Sequence, residues 1–293
     1  MKYNLELLRL IAVCLITLTH SKIQFTDSAN IFLFNYLPTI GTPVLTLISG
    51  YLFAEVSIKR KDLLNNKIKT LLVPYLIANS SVILITLLGS AFGLHFLNRF
   101  SFSDPSIIYN GLLSFYTPPI NPPTYFIRDI FILFLIIDAF KNKHYLNLLW
   151  LIPIVLFGLL FIRNDIPVLF AVGFIIARLK EKKQLMSVLR ILSIPVAVLF
   201  FMKTEVETYR YPIAISFFLL TVNLHIKFFN VGAYTYLLHL YHSPILVVLN
   251  SFALFSSPVA NLMVQIVICY LIIYLLFLAT RQYKPLRILC GGK

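Results

Sequence analysis

Along the chain, apolar stretches alternate with short segments marked by charge or by clusters of Pro and Gly. A membrane-crossing helix needs about 20 mostly apolar residues at about 1.5 Å rise each. Partitioned on that basis, the sequence predicts ten spans, at roughly 5–25, 31–54, 70–93, 124–140, 146–162, 166–179, 185–202, 211–226, 231–254 and 259–280. The fourth to sixth are short for a perpendicular crossing, which fits tilt, a different division of the stretch or partial re-entry. Between the third and fourth lies the longest polar segment, 94–123, where Pro118, Pro119, Pro122 and Pro123 deny helix and favour an extended loop. The N-terminus turns apolar at Leu5 like a signal peptide, but Glu6 and Arg9 interrupt it and no small-residue cleavage site follows, so a retained first helix is expected. No internal repeat is visible, which weakens an inverted-repeat transporter reading.

Composition sharpens this pattern. Hydrophobic residues make up 59% of the 293 and charged ones 12%, with a mean hydropathy of +0.87. Soluble domains spend about a quarter of their residues on charge, so the expectation is an integral membrane protein. The fold class is all-α and polytopic, with about ten transmembrane helices and both termini cytoplasmic. The +14 net charge is a topology signal rather than a nucleic-acid signal, because 19 of the 25 Lys and Arg fall on the cytoplasmic side in that arrangement. Residues 1–281 form the transmembrane domain and 282–293 a short basic cytoplasmic tail. Three cysteines, two of them inside apolar runs, exclude a disulfide framework.

Ionisable groups at membrane depth are costly, so Glu6, Arg9 and His20 require an explanation that Leu and Ile do not. From Arg9 to His20 is eleven steps, which at about 100° per residue places both on one helix face about 16 Å apart along the axis. Glu6 and Thr17, each three residues earlier than one of them, extend the same stripe. An interfacial Glu6–Arg9 ion pair and a histidine satisfied by a neighbouring helix compete with a functional site at this stage.

The segment NLELLRLIAVCLITLTHS, Asn4 to Ser21, resembles the opening helix of the acyltransferase 3 family of bacterial membrane acyltransferases, marked by Arg or Lys, ten residues, then His. Arg9 and His20 match that spacing, and Glu6 stands at the acidic position typical three residues before the arginine. GTPVLTLISGYLF is similar to the family's Gly-x-Pro, apolar run, Ser-Gly-aromatic-Leu, through Gly41, Pro43, Ser49, Gly50, Tyr51 and Leu52. NKIKTLLVPYL matches the basic stretch ending in Pro-Tyr through Lys67, Pro74 and Tyr75, with Thr70 where a second arginine is common. TYFIRDIFIL resembles the start of a central helix, with Tyr125 in place of the usual tryptophan. GAYTYLLHLYHSPIL matches through Gly232, Thr235, Tyr236, Leu240, His242 and Pro244, with His239 where tyrosine is usual. The five segments occur in the family's order over residues 4–246, and the chain resembles the standalone form without a fused esterase-like domain.

The resemblance implies transfer of an acyl group, commonly acetyl, from cytoplasmic acyl-CoA to a hydroxyl of a cell-envelope glycan or lipid-linked sugar, such as O-antigen, capsule or exopolysaccharide. It places the enzyme in the cytoplasmic (inner) membrane among membrane lipids, with acetyl-CoA as donor substrate and no bound cofactor, metal or nucleic acid. Under it Arg9 pairs with a donor phosphate, where a guanidinium binds bidentately. His20 deprotonates the attacking hydroxyl or itself carries the acyl group. Glu6 orients Arg9, Lys67 attracts the anionic donor, and Ser49 stands near the thioester, although Ser-Gly in a membrane helix is more often a packing device.

Arg128 and Asp129 are candidates for the acceptor sugar, with a local ion pair as an equal competitor. Tyr236, His239 and His242, three apart each time, share one face and could line an acceptor cavity or anchor at the interface. Zinc is not expected there without a carboxylate or thiol nearby. A transporter or flippase of lipid-linked sugar, or a catalytically silent scaffold for glycan assembly, are the alternatives. Nothing in the pattern fixes the oligomeric state.

Overall fold

Without water to bond exposed backbone, long apolar segments close their hydrogen bonds internally, and the structure, a computed structural model, is helical throughout with no strand among the described residues. It describes residues 3–21, 23–93, 105, 107–140, 158–224, 226–252 and 255–292. In chain order the principal helices there are α1 (Tyr3–Leu18), α2 (Ser28–Glu55), α3 (Leu63–Ser90), α4 (Tyr125–Ala139), α5 (Asp165–Leu179), α6 (Lys183–Lys203), α7 (Val206–Thr221), α8 (Gly232–Asn250) and α9 (Pro258–Gln282). Nine of the ten expected spans coincide with one of these. Most of the fifth, 146–162, lies outside the described residues, which resume at the turn Gly158–Leu160.

Among the described residues, α2, α3, α6 and α9 are the helices long and apolar enough to cross a membrane, by length and composition. At 15 or 16 residues, α1, α4, α5 and α7 rise only about 22–24 Å against a hydrocarbon core of about 30 Å. The chain is therefore a helical membrane protein in which several expected spans are shorter than a full crossing.

Local chemistry sets the ends. Asp27 accepts a hydrogen bond from the Asn30 backbone N–H at 2.8 Å, capping the start of α2, and that bond holds its carboxyl below the usual carboxylate range. Ser257 caps α9 in the same way, followed by Pro258 in the first turn.

The chain forms two compact units. The first comprises Met1–Thr19, Gln24–Lys61 and Asp165–Thr235, and so holds α1, α2, α5, α6 and α7. In it α2 and α5 pack backbone to backbone: a Cβ on Gly50 would fall 2.0 Å from the Phe170 carbonyl oxygen, and one on Gly173 2.2 Å from that of Leu47. Tyr51 and Phe218 meet edge to face at 5.8 Å where α7 joins α2. Lys180, just past α5, reaches both carboxylate oxygens of Glu55 at 2.5 Å, and that hydrogen bond raises the lysine's pKa.

The second unit comprises His20–Ile23, Asp62–Asn164 and Tyr236–Lys293. Here α3 and the approach to α4 are joined by Asn79, whose Nδ2 donates to the Thr124 hydroxyl at 3.0 Å and whose Oδ1 accepts from the Asn121 N–H at 3.2 Å. A tight helical turn, Lys284–Cys290, follows α9 and ends at Gly291, whose φ of +70° and approach to the Thr70 carbonyl require glycine.

Candidate active site

Helix α1 stops at Leu18, so His20 does not lie on the helix as the eleven-step count assumed; it sits in the turn that follows. The count holds as far as Thr17, which bonds back to the Val13 carbonyl at 2.9 Å, and the last steps to His20 leave helical geometry.

His20 is half-buried and forms part of the wall of a partly open pocket in the second unit. Residues of α3 (Val82, Thr86), of the segment before α4 (Asn121, Pro122) and of α8 (Ser243, Pro244) complete much of the lining. The ring of His20 lies 5.3 Å from that of His242, which is fully buried on α8, and His242 lies 6.4 Å from His239. His239 in turn packs its ring edge to face on Phe126 at 5.5 Å. Tyr236, His239 and His242 all lie on α8, and it is His242 that reaches the neighbourhood of His20.

Two prolines explain how this wall is held. Pro244 has no N–H for the carbonyl four residues earlier in its helix, Leu240, and Asn121 Nδ2 donates to that carbonyl at 2.7 Å. Likewise Pro74 cannot bond the Thr70 carbonyl, and Tyr236 Oη donates to it at 2.8 Å. Each proline thus frees a buried acceptor that a side chain from another segment satisfies, tying α8 to the Asn121 segment and to α3. No sequence pattern pointed to Asn79, Asn121 or Thr124. The usable signal was that Pro244 leaves one carbonyl needing a donor, together with an isolated Asn79 inside an apolar run.

The Glu6–Arg9 pair belongs to the first unit. Glu6 is buried and its Oε1 accepts from Arg9 Nη1 at 2.8 Å, while the arginine keeps about a fifth of its side chain exposed. A Cβ on Gly232, the first residue of α8, would come within 3.3 Å of Glu6 Oε2 and 3.4 Å of Arg9 Nη1. The carboxylate therefore faces a helix N-terminus, whose partial positive charge suits it. Asn4, two residues before Glu6, donates to the carbonyls of Thr221 and Val222 at the end of α7, two of the acceptors a helix end leaves over.

The remaining candidates are placed as follows. Lys67 sits over the Phe134 ring, 4.0 Å from its centroid. The Ser49 hydroxyl donates to Leu45, four residues back in its own helix, beside the Gly50 contact. Asp129 is fully buried rather than at the surface: it pairs with Arg128 at 2.8 Å and accepts from the backbone N–H groups of Ile162 at 3.3 Å and Arg163 at 3.1 Å. Arg128 also donates to the Leu160 carbonyl at 2.5 Å, so this pair fastens the 160–163 segment onto α4. His95, His144 and His225 lie outside the described residues. Among the described residues no group of three His, Cys, Asp or Glu is placed to hold a metal ion.

Residues 2–281 match a family model described as an acyltransferase domain. No curated protein and no solved structure is similar enough to match.

Proposed function

The chain belongs to the acyltransferase 3 family of membrane acyltransferases, and from that premise we propose that it moves an acyl group, acetyl in the first instance, from acyl-CoA to a hydroxyl of a cell-envelope glycan or lipid-linked sugar. The observation that carries the reading is His20 in the wall of a mostly apolar pocket between α3, the segment before α4 and α8, at the position the family marks with histidine. In this reading a nitrogen of His20 takes the hydroxyl proton as the oxygen attacks the thioester carbonyl. The carbon–sulfur bond then breaks, and the departing CoA thiolate takes the proton from the imidazolium. Proton transfer by such a positioned group contributes about 10²–10⁴-fold to rate. Direct transfer and an acyl-His20 intermediate are both compatible with this balance.

Arg9 supplies the donor's phosphate contact in this proposal, with Glu6 fixing its guanidinium and leaving part of it accessible. The intrahelical bond of the Ser49 hydroxyl and its place beside Gly50 favour packing over a donor role. Asp129, already accepting from three donors, supports the fold around the acceptor rather than gripping it. Lys67 remains the basic candidate for drawing in the anionic donor. The enzyme is placed in the cytoplasmic membrane, with its basic loops facing the cytoplasm and its acyl-CoA.

Mass spectrometry of envelope glycans, extracted without alkali, tests this in cells carrying wild type, His20→Ala, Arg9→Ala or no protein. An ester present with wild type, absent with His20→Ala and reduced with Arg9→Ala is the expected result. Full ester with His20→Ala would remove the site; unchanged glycan mass in every strain would move the reading to lipid-linked sugar transport or scaffolding.

A further inference from the structure

The acceptor role first considered for His242 does not use its most specific feature, which is the state of its two ring nitrogens. Nδ1 lies 2.7 Å from the Leu238 carbonyl, four residues back in α8. A carbonyl oxygen can only accept, so Nδ1 carries the ring proton, and in the neutral ring Nε2 is left as an acceptor. That Nε2 is buried and has no hydrogen-bond partner. The residue is fully buried, so water does not reach it from the surface.

The ring facing it is His20, with centroids 5.3 Å apart and planes at 52°. Two imidazoles joined in line by an N–H···N bond of about 2.9 Å have centroids about 5 Å apart, so the 5.3 Å separation suits such a bond once the His20 ring turns a nitrogen toward His242. Among the described residues, the other titratable groups beside His242 are His239, 6.4 Å away, and Cys269, whose thiol lies 3.9 Å from the His242 carbonyl.

We propose that His242 is a positioning residue for His20: its Nε2 accepts the N–H of one His20 nitrogen and thereby turns the lone pair of the other toward the cavity. This rests on the acyl-transfer reading and assigns how its base is held. The proton balance is unchanged by it, because His242 keeps its own Nδ1 proton throughout. When His20 becomes an imidazolium its N–H is a stronger donor, so the bond to His242 tightens as charge develops. A neutral imidazole, fixed by a helix carbonyl, here does what a carboxylate does for histidine in hydrolase triads.

The test uses membrane vesicles from cells expressing the full chain, which carry the native acceptor, supplied with labelled acetyl-CoA. Label in glycan ester gives the maximal rate and the acetyl-CoA KM, both normalised to folded protein by size exclusion. His242→Leu is expected to lower the maximal rate about 100-fold and leave KM within about twofold. His242→Gln, whose amide oxygen reaches the Nε2 position, should recover at least a tenth of the wild-type rate. His242→Asn, whose oxygen falls nearer Nδ1, should stay at least tenfold below His242→Gln, a comparison that holds even where the Leu variant fails to accumulate.

Wild-type rate in the Leu variant, or Gln no better than Asn, overturns the positioning role while leaving acyl transfer standing. No labelled ester from wild type, against an equal background from cells without the protein, removes the acyl-transfer reading and this inference together.

Discussion

Pro244 and Asn121 form the tightest residue-scale argument in the molecule. Because the proline leaves the Leu240 carbonyl without its helical donor, the 2.7 Å bond from Asn121 satisfies an acceptor that would otherwise be buried and empty. Asn121→Ala should lower stability by about 1–3 kcal/mol, read as a fall in the melting temperature of the detergent-purified protein. Restoring an N–H with Pro244→Ala in the same chain should recover part of that loss. Additive losses in the double variant would show that the carbonyl is not the reason for the contact. Tyr236→Phe, by the same logic at Thr70, should cost about 1 kcal/mol in the same melt. Of the residues so used, Tyr236, Pro74 and Pro244 stood out in the sequence, while Asn121 did not: a lone asparagine in a proline-rich loop has no periodicity to mark it, and its partner lies 119 positions away.

At the scale of elements, the approach of α2 to α5 depends on two glycines that face each other's backbone. Adding one methyl at Gly50 puts a carbon 2.0 Å from the Phe170 carbonyl oxygen, a contact only a shift of one helix relieves. Gly50→Ala and Gly173→Ala should each destabilise by roughly 1–3 kcal/mol. Gly158→Ala, whose new carbon meets nothing nearer than 4.0 Å, should leave the melt unchanged and serves as the control. Equal melts for Gly50→Ala and Gly158→Ala would contradict the packing.

The end of the same pair is fastened by Lys180 on Glu55. Since the lysine's pKa is raised above 10.5, the pair's contribution is complete below that value and is lost only as pH climbs through the raised pKa. Wild type and Lys180→Met should therefore differ in melting temperature by the same margin from pH 7 to pH 10, and a margin vanishing below pH 9 would contradict the bond.

For the whole molecule, the charge bias predicts which side each loop occupies. With the basic segment Lys59–Lys69 inside, the exposed Arg60 faces the cytoplasm and the exposed Tyr116, in the proline-rich segment, faces outward. In intact cells an impermeant maleimide should label Tyr116→Cys and spare Arg60→Cys until the membrane is opened, measured against the wild-type background. Labelling of Arg60→Cys from outside would invert the topology.

The sequence by itself determined that this is a helical membrane protein, where nine of its apolar helices fall, with ends displaced by up to seven residues, and which family's motifs it carries. Those properties are local: hydropathy, charge and spacing are written in consecutive residues, and backbone in lipid has almost no choice but to coil. Only the tertiary structure decided that α1 ends before His20, that Asp129 is consumed inside the fold, and that His242 stands against His20. Each depends on contacts between segments far apart in the chain, where a side chain's role is set by what another segment leaves unsatisfied: a carbonyl freed by proline, a ring nitrogen with no donor, a glycine that lets a second backbone in.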